Sequence, residues 1–375
     1  MSVTGVQRLA WRLQRQHLLE RAPAGSLVDV TSELCGLHAQ LMGSAELTAW
    51  ARVEDLTVDD VATALWQDRT LVKLWAMRGT LHLLSAETYP TFQLALATIS
   101  ESRTKNWLKL LEMTQPEIDR VLEAIRVALV DRELTREELA AEVVKRTRSK
   151  TLGERVLSGW GSMLKPASFL GDLCFAPSSG RNVRFTNPYA WLGIERPDRD
   201  PGEAERDVGR RFLAAYGPVR REEYQRWWGA LRTPLQTERF LRSVDGVTEV
   251  DLDGAKAFML EDDVDTVASL GQPKGVRLLP AFDLYVVTAP RNDPLVLDPA
   301  MKDRVYRKSA WFSPVLLVNG RMEGVWKHEK KGKRVIVTVD PFAPVKPAVK
   351  KAAGAEAERL AAFLGGTLDL SWLSD

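Results

Sequence analysis

Along the first two hundred residues, apolar positions recur mostly at intervals of three and four, the spacing of helices that bury one face. In 114–130, Ile118, Val121, Leu122, Ile125 and Leu129 form such a stripe, which predicts a helix. Thr114 and Glu117 form a capping box at its start, each side chain placed to satisfy the other's orphan amide. Thr135–Glu138 and Thr151–Glu154 repeat the signature and are read as the openings of two more helices. They are followed at 172–186 by two apolar strand-like pieces around Pro-Ser-Ser-Gly, a β-hairpin pattern. Helix, helix, hairpin is the order of a winged helix. The same order occurs earlier: a helix over Val58–Gln67, then LVKLWAM, a turn at Arg78–Gly79, and TLHLL. It recurs in helices expected at 203–216, 220–229 and 234–243 before VTEVDLDG and KAFML, which predict a third hairpin around Gly254.

After about residue 270 the pattern shortens into β-rich pieces: VRLLPAF, LYVVTA, PVLLVNG, VWKHE and KRVIVTV. Asn319–Gly320 is a strong two-residue hairpin signal, because both residues tolerate positive φ. A helix at 351–364 and a final strand close the chain. The fold class expected is therefore α+β, with three winged-helix motifs in tandem and a small C-terminal antiparallel β domain. The boundaries expected are 1–98, 99–200, 201–268 and 269–375.

Composition narrows the class. With 45% hydrophobic and 27% charged residues over 375 positions, the chain has ample material for a globular core. The sequence shows no secretory signal and no run of about 18 apolar residues, so no membrane role is expected. Cys35 and Cys174 are isolated in sequence, which fits a reducing cytoplasm rather than a disulfide scaffold. The formal charge of +2 says little about nucleic acid, because a DNA reader needs a local basic surface. Segment 321–337 holds six Lys/Arg against two Glu, and 145–150 (KRTRSK) has four basic residues and no acid. The turn Lys330–Lys331–Gly332–Lys333 is expected to project charge from a hairpin tip. Segment 249–265, with seven acids against Lys256, is expected to face away from DNA.

No nucleotide-binding glycine loop, paired-cysteine site or nucleophile elbow is present, and His17, His38, His82 and His328 lack metal-ligand spacing. Neither metal nor cofactor is expected. One stretch stands out: Cys35-Gly36-Leu37-His38-Ala39-Gln40, continuing to Ser44. On a helix His38 and Gln40 would diverge, whereas on extended backbone residues two apart share a side. Gly36 is a natural helix stop, which favours the extended arrangement. The pair then either orients a water molecule or forms a hydrogen-bonded turn in the core. In the second cluster, Met77 to Leu83, strand alternation puts Thr80 and His82 on one face. Arg78, at the wing turn, either reaches a phosphate or sits on the surface.

At these residues the chain resembles the AlkZ/YcaQ-like winged-helix DNA glycosylases of bacteria. The marks are Leu37-His38-Ala39-Gln40 with Ser44, Ala49-Trp50-Ala51-Arg52, and Met77-Arg78-Gly79-Thr80-Leu81-His82. Leu279-Pro280-Ala281-Phe282-Asp283 and Val318-Asn319-Gly320-Arg321 with Gly324-Val325-Trp326 extend the likeness. The resemblance implies a monomer with a basic groove for double-stranded DNA and removal of bulky N7-alkylguanine, including interstrand crosslinks. It serves either alkylation repair or self-resistance to a DNA-alkylating natural product. The family's catalytic element is Gln, an apolar residue, then Gln or Asp. Gln40 and Ala39 match its last two positions, and His38 replaces the first Gln. The residues read as catalytic are therefore His38 and Gln40. Those read as DNA-binding are Ser44, Arg52, Arg78, Thr80, His82, Arg148, Lys327, His328, Lys330, Lys331 and Lys333. The rival reading is a non-catalytic winged-helix binder, either a regulator or a protein that sequesters adducts.

Overall fold

The computed structural model describes residues 1–99, 112–157, 161, 163–229 and 232–373. The chain mixes helices with several small sheets, as expected. It condenses into two compact units that are discontinuous in sequence. One contains Met1–Val61, Arg210–Arg226 and Gly246–Asp375; the other contains Ala62–Gly209 and Trp227–Asp245.

In the first unit a five-stranded sheet runs in the order Val276–Leu279, Val315–Val318, Arg321–Lys331, Arg334–Pro341, Thr367–Trp372. The first four strands are antiparallel. Asn319 and Gly320, at φ 51° and 83°, make the tight turn between the second and third, where the sequence placed it. The last strand joins parallel to Arg334–Pro341. A parallel neighbour needs a crossover, and the helix Pro347–Phe363 supplies it. That helix buries Ala353, Ala357, Leu360 and Ala361. Along Arg321–Lys331, Met322, Gly324 and Trp326 are buried, but every residue from Lys327 to Lys331 is exposed. The strand outruns the core, and its distal half, in solvent, pairs with residues 334–338 of the next strand.

One β-rich piece folds otherwise. LYVVT is the short helix Leu284–Thr288, not a strand. Asp283 caps it by accepting from the Tyr285 N–H at 2.8 Å. The cap and the burial of all five residues override the strand preference of Tyr and Val. The hairpin Val247–Leu252/Ala255–Leu260 forms as expected and turns through Asp253 and Gly254, both at positive φ. The strand Ser2–Val3 adds to it in parallel. Val3, Trp11, Val250, Leu252, Ala257 and Met259 share the core beneath.

In the second unit, Gln115–Ala128 opens with the Thr114–Glu117 box and Arg136–Thr147 with the Thr135–Glu138 box. The third expected box is displaced. The helix is Lys150–Val156, and its cap is Ser149, whose Oγ accepts from the Leu152 N–H at 3.3 Å. Thr151 therefore lies inside the first turn. The hairpin Leu71–Trp75/Leu81–Ser85 connects through Arg78 and Gly79, both at positive φ. The hairpin Cys174–Ser179/Asn182–Thr186 also forms, but Pro177, Ser178 and Ser179 belong to its first strand and the turn falls at Gly180–Arg181. The displacement coincides with an irregular register between Ala176 and Ser179.

Candidate functional site

The helix Leu27–Glu33 stops where Cys35 and Gly36 adopt φ of 61° and 94°, the left-handed conformation that ends helices and suits glycine. The chain then becomes extended over Leu37–His38. The extended run is shorter than expected: Gln40 lies in a bend just before the helix Met42–Trp50. The two residues consequently meet different surroundings. His38 is 5% exposed, whereas Gln40 is exposed. The His38 ring stacks on Phe282 with centroids 5.2 Å apart and planes 9° from parallel, which fixes its orientation.

Phe282 itself has φ 59°, an unusual conformation for an aromatic residue, and it carries Trp311 edge-on at 5.0 Å. Trp311 is 40% exposed. It belongs to a two-stranded hairpin, Tyr306–Arg307 with Trp311–Phe312, whose tip residues Ser309 and Ala310 both have positive φ. The sequence reading missed the aromatic set around His38. Its only trace was Phe282 within Leu-Pro-Ala-Phe-Asp.

Next to Phe282, Asp283 explains Arg52. The guanidinium donates Nη1–H to Asp283 Oδ2 at 2.7 Å and Nη2–H to Oδ1 at 2.8 Å. Nη1 also donates to the Thr48 carbonyl at 2.9 Å. Both side chains are fully enclosed. Arg52 was expected to touch DNA; it is turned inward instead. It ties the helix that follows Gln40 to the turn that carries Phe282, and so holds the two sides of the site together.

Ser44, on that helix, is 8% exposed. It lines a cleft of about 280 Å³ together with His328, Trp326, Pro280 and Phe363. His328 is exposed along one side but packs its ring 5.5 Å from Trp326, and this partial burial lowers its pKa from the ordinary histidine value. Beyond it, Lys327, Lys330, Lys331 and Lys333 are exposed around the Gly332 turn. They are not uniformly available to an anion. Lys330 Nζ donates to the Leu364 carbonyl, where a helix C-terminus attracts cations. Lys331 lies 3.1 Å from Glu329.

In the second unit Arg78, expected at the wing turn, and Thr80 and His82, expected on one face of the strand after it, bond within the fold. Arg78 donates to the Trp227 carbonyl at 2.8 Å, and Thr80 Oγ1 donates to the Met77 carbonyl at 3.1 Å. His82 is fully enclosed and its Nδ1–H donates to the Thr80 carbonyl at 3.0 Å, so it does not reach a solvent-side ligand. Arg148 is exposed, in a left-handed conformation at a helix end. No group of three or more His, Cys, Asp or Glu among the described residues is placed to hold a metal ion. No described helix is long and apolar enough to cross a membrane.

The family model for DNA glycosylase AlkZ-like proteins matches residues 31–363. The chain belongs to the AlkZ-like DNA glycosylase family. A Streptomyces sahachiroi protein named interstrand DNA cross-link repair glycosylase is 35% identical over 360 residues, which span 94% of this chain and 96% of that protein. The solved structure of the Streptomyces sahachiroi DNA glycosylase AlkZ matches with a TM-score of 0.89 at 33% identity, over 100% of both chains. The stretch from His38 to Gln40, the Arg52–Asp283 pair and the Trp326 cleft, save Leu364 at its edge, lie within the matched span.

Proposed function

We propose that this AlkZ-like glycosylase hydrolyses the N-glycosidic bond of bulky N7-alkylguanine in duplex DNA, including interstrand crosslinks, with no cofactor. We take it to act as a monomer on the nucleoid, on a scaffold of three winged helices and a C-terminal β domain. Two services suit this activity: repair of alkylation damage at large and self-resistance in a producer of an alkylating natural product.

The observation that carries this reading is that, in a member of this family, an exposed Gln40 stands two residues from an imidazole held flat against Phe282. An N7-alkylated guanine is already cationic. When C1′–N9 breaks, the bonding pair returns to the base, which leaves neutral and needs little acid assistance. What remains is to place water at C1′ and take its proton. The Gln40 amide oxygen holds the water, and His38 accepts the proton as attack proceeds. The sequence offers no obvious nucleophilic lysine, which favours hydrolysis over a Schiff-base route. Exposed Arg148, Lys327, Lys331 and Lys333 are the phosphate contacts we favour, with His328 and Ser44 nearer the lesion.

Base release from duplex DNA carrying one N7-alkylguanine tests the proposal. Wild type is expected to release the base, and Gln40→Ala to slow release about 10²-fold, the lower range for a lost water-activating group. Gln40 is exposed, so the variant should melt with wild type. Binding without release by wild type would leave a non-catalytic DNA-binding protein.

A further inference from the structure

We propose that a second cleft, between the start of the Arg221–Trp228 helix and the 290–295 loop, receives one phosphate of the DNA strand. Arg220, Arg226, Arg291 and Lys302 hold it, a few nucleotides from the lesion. The inference deepens the proposed glycosylase reading and rests on it.

The cleft lies wholly within the first unit, and its lining carries those four cations together with Glu222, Glu223, Asp253 and Asp293. The carboxylates are already engaged. Glu223 is buried between Arg8 and Arg12, and Asp293 pairs with Arg8. Asp253 accepts from the Gly5 N–H at 2.9 Å, and Glu222 accepts from Arg221 at 2.7 Å. With Arg8, Arg12 and Arg221 included, seven cations stand against four carboxylates, which leaves the cleft positive.

The four lining cations bond only neutral groups. Arg226 donates to the Ala289 carbonyl at 3.1 Å, Arg220 to the Leu252 carbonyl at 3.4 Å, and Lys302 to Asn292 Oδ1 at 2.8 Å. Arg291 lies over the rings of Tyr306 and Phe312, 5.1 and 5.5 Å from their centroids. Arg220 Nε is buried with no acceptor among the described residues. Arg226 is held below the ordinary arginine pKa by burial and by the neighbouring Arg291, against the pull of Glu223. An anion shared by these groups relieves both the missing acceptor and the like-charge repulsion. The guanidinium fork matches phosphate in both geometry and charge.

Size and place favour a strand over a free ion. At about 710 Å³ the cleft falls within the range of ligand sites, roughly 300–1,000 Å³, and exceeds what one phosphate ion fills. A sugar–phosphate segment suits it. Phe312, beneath Arg291, packs 5.7 Å from Phe282, the ring that stacks on His38. Phosphates recur about every 3.4 Å along each strand of a duplex, so a strand with its lesion at His38 brings a phosphate to Arg291 within a few nucleotides.

Binding to a duplex containing a tetrahydrofuran abasic analogue tests the site, with Arg291→Gln/Lys302→Gln as the variant. Arg226 is left in place because its bond to the Ala289 carbonyl serves the fold. The slope of log K on log salt should become shallower by about 0.9, one phosphate's share. Neutral methylphosphonate linkages placed one at a time around the analogue should then reveal one or two that weaken wild type and leave the variant indifferent. Melting curves check folding. Should the double variant fail to fold, Lys302→Gln alone replaces it. An unchanged slope overturns the proposal, and so does a shallower slope with no linkage whose effect the variant loses. Calorimetric titration with inorganic phosphate separates the sources: saturable binding without any methylphosphonate effect marks a free-anion site and overturns the strand reading. Wild type that shows the expected slope and linkage effects but releases no base from N7-alkylguanine leaves the cleft standing and sinks only the glycosylase reading.

Discussion

Arg52 was read as a DNA contact and is instead fully buried against Asp283, so its replacement should unfold before it unbinds. Arg52→Ala removes both bonds to the carboxylate and the bond to the Thr48 carbonyl. Asp283 keeps only its helix-capping bond from the Tyr285 N–H among these, in a site with no water access. Breaking one partner of a buried pair costs about 3–5 kcal/mol, mostly the desolvation of the charge left behind. For a compact body of this size each kcal/mol lowers Tm by about 2–4 °C, so a fall of about 10 °C is expected by calorimetry. Replacing both partners at once, Arg52→Met with Asp283→Leu, should recover most of the loss, because no charge is then stranded. Undamaged duplex binding, followed against salt, separates the alternatives. A phosphate contact contributes about 0.9 to the slope of log K on log salt. An Arg52→Ala variant with unchanged Tm and a slope shallower by that amount would refute the structural role.

Glu223 should govern part of the acid limb of stability. It is buried with Arg8 and Arg12; burial raises its pKa, but the two guanidinium groups outweigh this and hold it below the ordinary 4.5. A carboxylate depressed on folding contributes stability that is full above the unfolded value and lost as pH falls through the folded one. Glu223→Gln should therefore lower stability at neutral pH by about 3–5 kcal/mol and flatten its decline below about pH 4.5, as read by urea titration across pH. At the exposed hairpin, Lys327→Ala with Lys333→Ala should leave Tm unchanged and reduce the salt slope of DNA binding by about 0.9 for each phosphate lost. An unchanged slope would place DNA elsewhere. Ser149→Ala should cost about 1 kcal/mol through the lost cap, and Thr151→Ala little, by thermal melts; the reverse order would return the cap to Thr151.

Much of this protein was legible locally. The Thr114 and Thr135 boxes, the Asn319–Gly320 turn, the Gly254 hairpin and the helix stop at Gly36 are each decided within a few residues, by steric freedom or by a side chain meeting its own backbone. The likeness to AlkZ-type glycosylases was carried by short stretches for the same reason. What the sequence misplaced depended on partners far along the chain. LYVVT reads as a strand until Asp283 caps it, and Arg52 reads as a free cation until that same Asp283 arrives from 231 positions away. His38 and Gln40 share a motif, yet one is largely buried against Phe282 and the other left in solvent. Periodicity reports which face a residue takes on its own element. Only tertiary packing decides whether that face meets water, because burial and charge pairing are set by whatever distant segment covers it.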